Sequence, residues 1–473
     1  MKIGMRRLQL FILLFAMCSL LFQLPPEAFA AAGDVDSAVE INDTTTNGPT
    51  LADDDYFGYS VANIGDLNGD GVNDLAVGAY SDDEGGDDRG AIHIMFMNTD
   101  GSVDSTVEIN SSTTNGPTLA DDDWFGYSVA NIGDLNGDGV NDLAVGSPTD
   151  DEGGSARGAV HIMFMNTDGS VDSTVEINSS TTNGPTLADD DWFGYSVANI
   201  GDLNGDGVND LAVGSPTDDE GGSARGAVHI MFMNTDGSVD STVEINDATT
   251  NGPTLANTDY FGASIANIGD LDGDGVNDLA VGAKLANDGL WQSKRGTVHI
   301  VFMNTDGSVD STVKIGYSTT NGPTLVNSGH FGTSIANIGD LDGDGVNDLA
   351  VGGSNGIVFI MFMNTNGSVD STVVINRDTA NGPTLSSQGD YFGYSVANIG
   401  DFDGDGVNDI AVGAPRDDAG GDDRGALHIM FMEDVIKPTV TITSSSGDSG
   451  DTAYSTTLSY TATFSESTSN FVV

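Results

Sequence analysis

The chain has 473 residues, of which 38% are hydrophobic, and it carries a formal net charge of −58 at pH 7. Nucleic acid and anionic membranes would repel such an acidic chain, and this charge therefore excludes them as partners. The hydrophobic residues fall in runs that recur in order, which excludes a disordered chain despite the charge.

The first 30 residues have the pattern of a secretory signal peptide. A basic start precedes a largely apolar stretch from 8 to 24, and Ala28–Ala30 fits a small-x-small cleavage site. A transmembrane anchor is the alternative, but the apolar run is short and the cleavage site follows it. We therefore expect residues 1–30 to be removed and the protein to be secreted or held at the cell surface. Because Cys18 is the single cysteine, disulfides cannot staple the mature chain, and bound metal is the remaining candidate.

An aspartate-rich segment recurs six times in the rest of the chain. Its first copy runs from Asp66 to Asp74 and reads Asp-Leu-Asn-Gly-Asp-Gly-Val-Asn-Asp. The six copies begin at Asp66, Asp134, Asp202, Asp270, Asp340 and Asp401. Segments repeated at this spacing indicate a repeat architecture.

Each repeat contains four short apolar segments that predict β-strands. In the second copy the predicted strands are 125–132, 143–146, 159–165 and 171–177. The aspartate segment joins the first two strands, an acidic glycine-rich loop joins the next two, and a turn at 166–169 joins the last two. Four strands per repeat are typical of a β-propeller blade, whereas an open β-solenoid would need shorter repeats.

The two ends of the repeat region predict how the ring closes. Val35–Ile41 matches the fourth strand of a repeat, and Leu427–Met432 matches the third. The N-terminal strand can therefore complete the last blade and remove two exposed sheet edges. We predict an all-β fold, a six-bladed propeller over residues 34–433. Residues 437–473 differ in composition, and their alternating segments predict the opening strands of an incomplete bacterial immunoglobulin-like module.

The repeat resembles the FG-GAP repeat of integrin α-subunit propellers. The resemblance rests on Phe57-Gly58, on the aspartate loop, and on a Gly-Ala-Pro element that is complete at Gly413–Pro415. The Phe-Gly pair recurs at Phe125, Phe193, Phe261, Phe331 and Phe392. The resemblance implies a propeller and a role in adhesion. Integrin propellers have seven blades, so seven is the alternative to the six counted here.

The aspartate loops have the ligand pattern of a calcium site. Oxygen-bearing side chains stand at positions 1, 3, 5 and 9, and a glycine at position 6 permits a sharp turn. In the first loop we assign Asp66, Asn68, Asp70, the carbonyl of Val72, and both carboxylate oxygens of Asp74. The equivalent residues of the other loops are Asp134, Asn136, Asp138, Val140 and Asp142; Asp202, Asn204, Asp206, Val208 and Asp210; Asp270, Asp272, Asp274, Val276 and Asp278; Asp340, Asp342, Asp344, Val346 and Asp348; and Asp401, Asp403, Asp405, Val407 and Asp409.

Three alternatives to this interpretation of the loops stay open. An EF-hand would need a glutamate at position 12, where the first loop has Val77. A metal-free turn would leave several carboxylates close together and repelling one another. Magnesium suits a short, flexible, carboxylate-rich loop less well than the larger calcium ion does.

Two other residue types recur on the third strand and just before it. A histidine stands on this strand in five blades, and the fifth blade has Phe359 instead. We interpret these histidines as packed strand residues and not as zinc ligands, because no cysteine or second histidine lies nearby in sequence. The arginines that precede the strand, such as Arg157, are interpreted as partners of acidic loops.

One loop breaks the repeat on the face opposite the aspartate loops. Residues 284–295 bring an aromatic side chain and cations to an otherwise acidic face. Loops of this kind are where propellers place binding residues. Our hypothesis is that Lys284, Trp291 and Lys294 contact a ligand, and neutral drift of the loop is the alternative.

Together these patterns predict an extracellular, calcium-binding propeller that acts as an adhesion or matrix-binding module. We expect a protein or polysaccharide ligand, no nucleic acid partner, no membrane span in the mature chain, and a monomer. A lectin is one alternative, because Trp124, Trp192 and Tyr260 recur near the loop face. A polysaccharide-degrading enzyme is the other. We expect no enzyme, because nearly every titratable residue is one of five or six copies, whereas catalysis needs a unique constellation.

Overall fold

The computed structural model describes residues 32–287, 293–385, 388–433, 440–444 and 460–464. Residues 32–433 form one compact unit of six four-stranded antiparallel sheets, the blades. Blade 1 contains β2 (Ser60–Gly65), β3 (Asp74–Ala79), β4 (Ala91–Met97) and β5 (Val103–Ile109). Blade 2 contains β6 (Ser128–Gly133), β7 (Asp142–Ser147), β8 (Ala159–Met165) and β9 (Val171–Ile177). Blade 3 contains β10 (Ser196–Gly201), β11 (Asp210–Ser215), β12 (Ala227–Met233) and β13 (Val239–Ile245).

The second half of the ring repeats the same order. Blade 4 contains β14 (Phe261–Gly269), β15 (Asp278–Ala283), β16 (Thr297–Met303) and β17 (Val309–Ile315). Blade 5 contains β18 (Ser334–Gly339), β19 (Asp348–Gly353), β20 (Ile357–Met363) and β21 (Val369–Asn376). Blade 6 contains β22 (Ser395–Gly400), β23 (Asp409–Ala414), β24 (Ala426–Met432) and, from the N-terminus, β1 (Val35–Ile41). A short 3₁₀ helix, Gln388–Asp390, precedes β22.

The ring closes through the N-terminal strand, as predicted. Strand β1 pairs antiparallel with β24, with Ile41 opposite Leu427 and Ala38 opposite Met430. The blade count is six, and the seven-bladed alternative is wrong for this chain. Closure turns two strand edges, which would otherwise template aggregation, into a paired ladder.

In every blade except blade 4, the first strand starts later than the sequence pattern predicts. In blade 2 the prediction begins at Phe125, whereas β6 begins at Ser128. Gly126 has a φ of +86°, which interrupts regular strand geometry, and Phe125 N–H donates to Arg89 O of the preceding blade at 2.9 Å. The Phe-Gly pair therefore anchors one blade on the previous one before the strand begins.

The core lies between neighbouring blades. Every residue of β4 is buried, and its side chains alternate between two neighbours. Ile92, Ile94 and Phe96 pack towards blade 2, while Met95 and Met97 pack towards blade 6. A third strand buried on both faces explains its unbroken apolar run.

The tail is described only in part and separately from the propeller. Strands β25 (Val440–Ser444) and β26 (Tyr460–Phe464) pair antiparallel. The predicted signal peptide, 1–30, and the remainder of the predicted immunoglobulin-like segment, 437–473, lie outside the described residues. Within the described residues, no helix has the length and apolar character needed to cross a membrane.

Candidate metal centres and the opposite loop face

Each predicted metal loop connects the first two strands of its blade. In blade 1 the loop leaves β2 at Gly65 and ends at Asp74, the first residue of β3. The Asp74 carboxylate also accepts a hydrogen bond from Met97 N–H at the end of β4, at 3.1 Å. The six loops therefore share one face of the ring with the β4–β5-type turns. We call it the aspartate-loop face.

The side-chain oxygens of the loop point inwards. Asp66 accepts hydrogen bonds from Gly69 N–H at 2.7 Å and from Gly71 N–H at 2.9 Å. Asn68 and Asp70 each accept a hydrogen bond from the amide two residues further along the chain. A Cβ on Gly69 or Gly71 would meet nothing within 4 Å, but both glycines have φ near +90° (+81° and +96°). These glycines are required by the backbone conformation and not by lack of space.

The carboxylate at position 9 is the buried ligand candidate. Asp74 has no exposed surface, and its two oxygens accept hydrogen bonds from Leu67 N–H at 3.0 Å and Met97 N–H at 3.1 Å. Burial raises the pKa of Asp74 to about 6, despite these hydrogen bonds. Burial has the same effect on the pKa of Asp409, which rises to about 7. A cation would stabilise the ionised carboxylates against this desolvation.

The donor set fits a hard divalent cation. In three loops, carboxylate oxygens from three aspartates lie within 4.8 Å of one another. These groups are Asp270, Asp272 and Asp278; Asp340, Asp342 and Asp344; and Asp401, Asp403 and Asp409. That separation is about twice a calcium–oxygen distance, so one ion can contact all three oxygens. The other three loops carry an asparagine at position 3, which supplies an amide oxygen and one charge fewer.

The sequence analysis assigned no role to the asparagine at position 8 of each loop. Asn73 Nδ2 donates to Ile399 O of blade 6 at 2.9 Å, across the closure of the ring. The same bond to the preceding blade, at 2.9–3.1 Å, is made by Asn141, Asn209, Asn277, Asn347 and Asn408. The available signal was an asparagine in all six copies at a position with no ligand role. Each loop therefore also forms a hydrogen bond that links its blade to the preceding one.

A polar cavity of about 580 Å³ opens on the aspartate-loop side of the ring axis. Position-8 asparagines line it, together with the asparagines of the first strands. The latter form a further set of contacts between blades, for example from Asn131 Nδ2 to Asn63 O at 3.2 Å. Its lining amides are largely engaged in holding blades together.

At the other end of the axis, tyrosines that directly precede the first strands form a ring of aromatic side chains. Tyr59, Tyr127, Tyr195 and Tyr394 surround a cavity of about 100 Å³, and the Tyr59 and Tyr394 hydroxyls are 2.8 Å apart. Blades 4 and 5 have small residues at this position, and Lys284 fills the opening. Its ammonium contacts the Tyr195 hydroxyl and lies 4.6 Å from the Tyr195 ring centroid. Lys284, predicted to meet a ligand, is thus engaged within its own chain.

A second aromatic set surrounds this mouth. The residue before each Phe-Gly pair is partly buried and has a φ between 50° and 61°. The six residues are Tyr56, Trp124, Trp192, Tyr260, His330 and Tyr391. A bulky residue in this left-handed region is strained, by about 1–3 kcal/mol. Trp124 and Trp192 lie edge to face, with ring centroids 6.4 Å apart.

The rest of the predicted ligand patch lies nearby. Lys294 is exposed, and its backbone N–H donates to Asn287 Oδ1 at 3.1 Å. Trp291 lies outside the described residues. The described part of the loop therefore brings one predicted side chain to the surface and turns another, Lys284, towards the axis.

The recurring histidines are buried in the blades. His93, His161, His229 and His428 are each 1% exposed, and burial lowers the pKa of each to about 4. Each ring meets the phenylalanine of the Phe-Gly pair edge to face, with centroids 5.5 Å apart. Phe359 makes the same contact with Phe331 in blade 5. This substitution by phenylalanine supports the interpretation of a packing residue.

The repeated Phe-Gly pairs and aspartate loops agree with the sequence comparisons to known proteins. The FG-GAP repeat family matches residues 57–95, 125–163, 193–231, 261–301 and 392–430. Integrin alpha pat-2 of Caenorhabditis elegans is 31% identical over 256 residues, which are 50% of this chain and 19% of that protein. Integrin alpha-5 of Xenopus laevis is 34% identical over 235 residues, which are 48% of this chain and 20% of that protein. A solved complex of BBS1N with ARL6DN aligns over 84% of this chain and 98% of that chain, with 12% identity and a TM-score of 0.38.

The class defined by fold and sequence is therefore the β-propeller built from FG-GAP repeats. The chain contains FG-GAP repeats and is similar to integrin α subunits. It spans about a fifth of the length of these integrin relatives. Blade 5 falls between the matched ranges, yet it forms the same four strands and carries the Asp340–Asp348 loop.

Proposed function

We propose that the chain is a calcium-stabilised, extracellular propeller that acts as an adhesion or ligand-binding module. The observation that carries the calcium assignment is the loop geometry. In three loops, carboxylate oxygens from three aspartates lie within 4.8 Å of one another, and in every loop the aspartate at position 9 is buried. The acidic side chains at positions 1, 3, 5 and 9, with asparagine at position 3 in three loops, would hold the ion. Calcium would supply positive charge to this cluster, which burial otherwise destabilises.

Calcium would act first on the fold. The ion would hold the first two strands together, and position 9 also reaches the third strand, as in the Asp74 contact with Met97. The position-8 asparagine extends the effect to the preceding blade. Because the single cysteine lies in the predicted signal peptide, calcium would take the stabilising role that disulfides have in many exported proteins.

Ligand recognition would use the face opposite the aspartate loops. That face carries the six strained residues that precede the Phe-Gly pairs, which we call the aromatic rim. It also carries the cations that break the repeat. The relatives are integrin α chains, so an extracellular protein or polysaccharide ligand is proposed by analogy with that family. We also propose that the propeller is a monomer and has no catalytic role. Turnover of acidic polysaccharides, or a dimer mass in light scattering, would contradict these two proposals.

A count of bound ions tests the calcium assignment. We expect up to six calcium ions per chain in calorimetric titration of chelator-treated protein. Asp270→Ala should remove one ion. Asp306→Ala is the matched control on the same face, because Asp306 is an exposed turn residue bonded to Ser308 and lies outside the metal groups. Equal counts for both variants, or no binding at all, would refute the assignment.

A carbohydrate-binding role is the second candidate. It is favoured by the rim, where Trp124 stacks on Tyr127 at 6.0 Å and Trp192 stacks on Tyr195 at 6.1 Å. Partly exposed aromatic faces suit sugar rings, and repeated sites would give multivalent binding. A glycan array with calcium-loaded protein separates the two roles. Binding that is lost in Trp124→Ala and Trp192→Ala would favour the lectin.

A further inference from the structure

An arginine joins two loops in four of the blades. It lies before the third strand and contacts an acidic loop that leads to the next blade. Arg89 pairs with Asp121 at 2.9 Å, and Arg157 pairs with Asp189 at 2.8 Å. In blade 6, Arg424 Nε contacts Asp53 at 2.8 Å. These contacts fit the interpretation of the arginines as local partners of acidic loops.

Blades 3 and 6 add a carboxylate from a further position of the connecting loop, and in blade 3 the first partner is Asn257, which accepts from Arg225 Nε at 3.0 Å. In blade 6 the Asp43 carboxylate accepts a hydrogen bond from Arg424 Nη1 at 2.6 Å and one from Leu51 N–H at 3.2 Å. In blade 3 the Asp247 carboxylate contacts Arg225 Nη1 and accepts a hydrogen bond from Leu255 N–H at 2.9 Å. An arginine and a backbone amide thus form a pocket that holds one carboxylate group.

Blade 4 has the same arginine without either carboxylate. Asn327 replaces the residue equivalent to Asp53, and Tyr317 replaces the residue equivalent to Asp43. Arg295 Nε donates to Asn327 Oδ1 at 3.0 Å. Arg295 Nη1 is buried and has no hydrogen-bond partner among the described residues. The residue as a whole is 7% exposed, whereas the other four arginines are partly exposed.

A buried guanidinium without an anion is an unfavourable arrangement. Arginine stays protonated, and an ion that is buried without a counter-ion loses its hydration without a compensating interaction. The Tyr317 ring lies 3.7 Å from the guanidinium carbon and offers partial compensation through a cation–π contact. Tyr317 is 51% exposed as a residue, so it covers the arginine from the solvent side. Ser293, which is 2% exposed, lies two residues before Arg295, and its Oγ also has no partner among the described residues.

We propose that blade 4 carries a binding site for one carboxylate group of a ligand. The group would lie where the Asp43 and Asp247 carboxylates lie in blades 6 and 3. Arg295 Nη1 and the backbone N–H of Leu325, the equivalent of Leu51, would be its donors. A rotation of the Tyr317 side chain towards solvent would open the site.

The site deepens the proposed ligand-binding role of this face and rests on it. Lys294, exposed next to Arg295, adds positive charge. The net charge of −58 repels a polyanion at long range. The favoured ligand is therefore a single carboxylate, as on an aspartate or glutamate side chain of a partner protein, and a uronic acid is the competing source.

The test compares two substitutions of Tyr317. Tyr317→Asp recreates the internal carboxylate of blade 6, and Tyr317→Ser recreates Ser111 and Ser179 of blades 1 and 2. Both remove the aromatic ring, but only aspartate supplies an anion. Calcium-loaded protein, labelled with ¹⁵N-arginine, is titrated with N-acetylaspartate and in parallel with glucuronate, against sodium chloride at the same ionic strength. The signal of Arg295 Nε–H is assigned with Arg295→Gln, and the Tyr317 pair remains decisive if that variant does not fold.

We expect a saturable shift of the Arg295 signal in the wild type and in Tyr317→Ser. The dissociation constant should be at least tenfold weaker in Tyr317→Asp. Saturation by either carboxylate supports the site, and the stronger of the two identifies its source. Binding of neither probe, a chloride shift of equal size, or equal responses of the two Tyr317 variants would overturn it. Bound calcium is counted on the same samples, so failure here is distinguishable from failure of the calcium assignment.

Discussion

Replacing His161 with phenylalanine tests how burial of the third-strand histidines links stability to pH. The change copies blade 5, where Phe359 occupies the equivalent position and meets Phe331 at 5.5 Å, the same centroid distance as for Phe125 and His161. Phenylalanine should therefore fit the site without rearrangement. The ring cannot take up a proton, so the substitution removes one titrating group and leaves the packing in place.

The direction of the effect follows from the lowered pKa of the folded state. In the unfolded chain the His161 pKa is near its usual 6.5, and burial lowers it to about 4 in the folded protein. The histidine therefore adds no penalty above pH 6.5. As the pH falls from 6.5 towards 4, the unfolded chain binds a proton that the folded protein does not, and stability is lost. The loss is about 1 kcal/mol at pH 5.5 and about 2–3 kcal/mol at pH 4.5 for one histidine.

Buried carboxylates act in the opposite direction, so a matched comparison is needed. Burial raises the pKa of Asp123 and the pKa of Asp191, neither of which is a proposed calcium ligand, to about 7. Such groups bind a proton more readily in the folded protein, and acid therefore favours folding through them. Both groups are present in the wild type and in the variant. The difference between the two proteins isolates the histidine.

Urea unfolding in calcium-containing buffer between pH 7.5 and 4.5 measures this difference. We expect the His161→Phe variant and the wild type to agree within about 1 kcal/mol at pH 7.5, and the variant to become the more stable protein as the pH falls. Phe359→His is the reciprocal control and should add acid sensitivity. Parallel stability curves for all three proteins would refute the reasoning.

Three further predictions concern the lysine on the axis, the position-8 asparagines and the metal. Lys284→Met should lower the free energy of unfolding by about 0.5–2 kcal/mol, because it removes the cation from the tyrosines that surround the axis. Lys294→Ala changes an exposed residue and should have little effect in the same thermal melts. Asn209→Ala should lower the free energy of unfolding by about 1–3 kcal/mol, because it leaves the Ile132 carbonyl without its hydrogen-bond donor from the next blade. Asn234→Ala is the control, because it removes an exposed hydrogen bond within one turn. Removing calcium with a chelator should destabilise the protein by about 2.7 kcal/mol for each site that had been at a hundredfold excess over its dissociation constant. An unchanged melting temperature would contradict the calcium assignment.

Much of the fold could be predicted from residue order alone. The alternation of Ile92, Ile94 and Phe96 with Met95 and Met97 predicts a strand buried on both faces, because side chains alternate along a strand. The match between the two ends of the repeat region predicts ring closure, because an unpaired strand edge is unfavourable. Each aspartate loop lies within nine consecutive residues, so its ligand pattern is visible without knowledge of the fold.

The tertiary structure alone decided contacts between residues from different blades. Nothing near Asn209 in sequence indicates a bond to Ile132, and nothing near Lys284 indicates that its ammonium meets the tyrosines of other blades on the axis. Arg295 is similar: the sequence presents it as one of five equivalent arginines, and only the fold brings it next to Tyr317 and Asn327 in place of two aspartates. Local patterns determine strands, turns and ion loops because their parts are adjacent in the chain. Burial and missing partners depend on what the closed ring brings together.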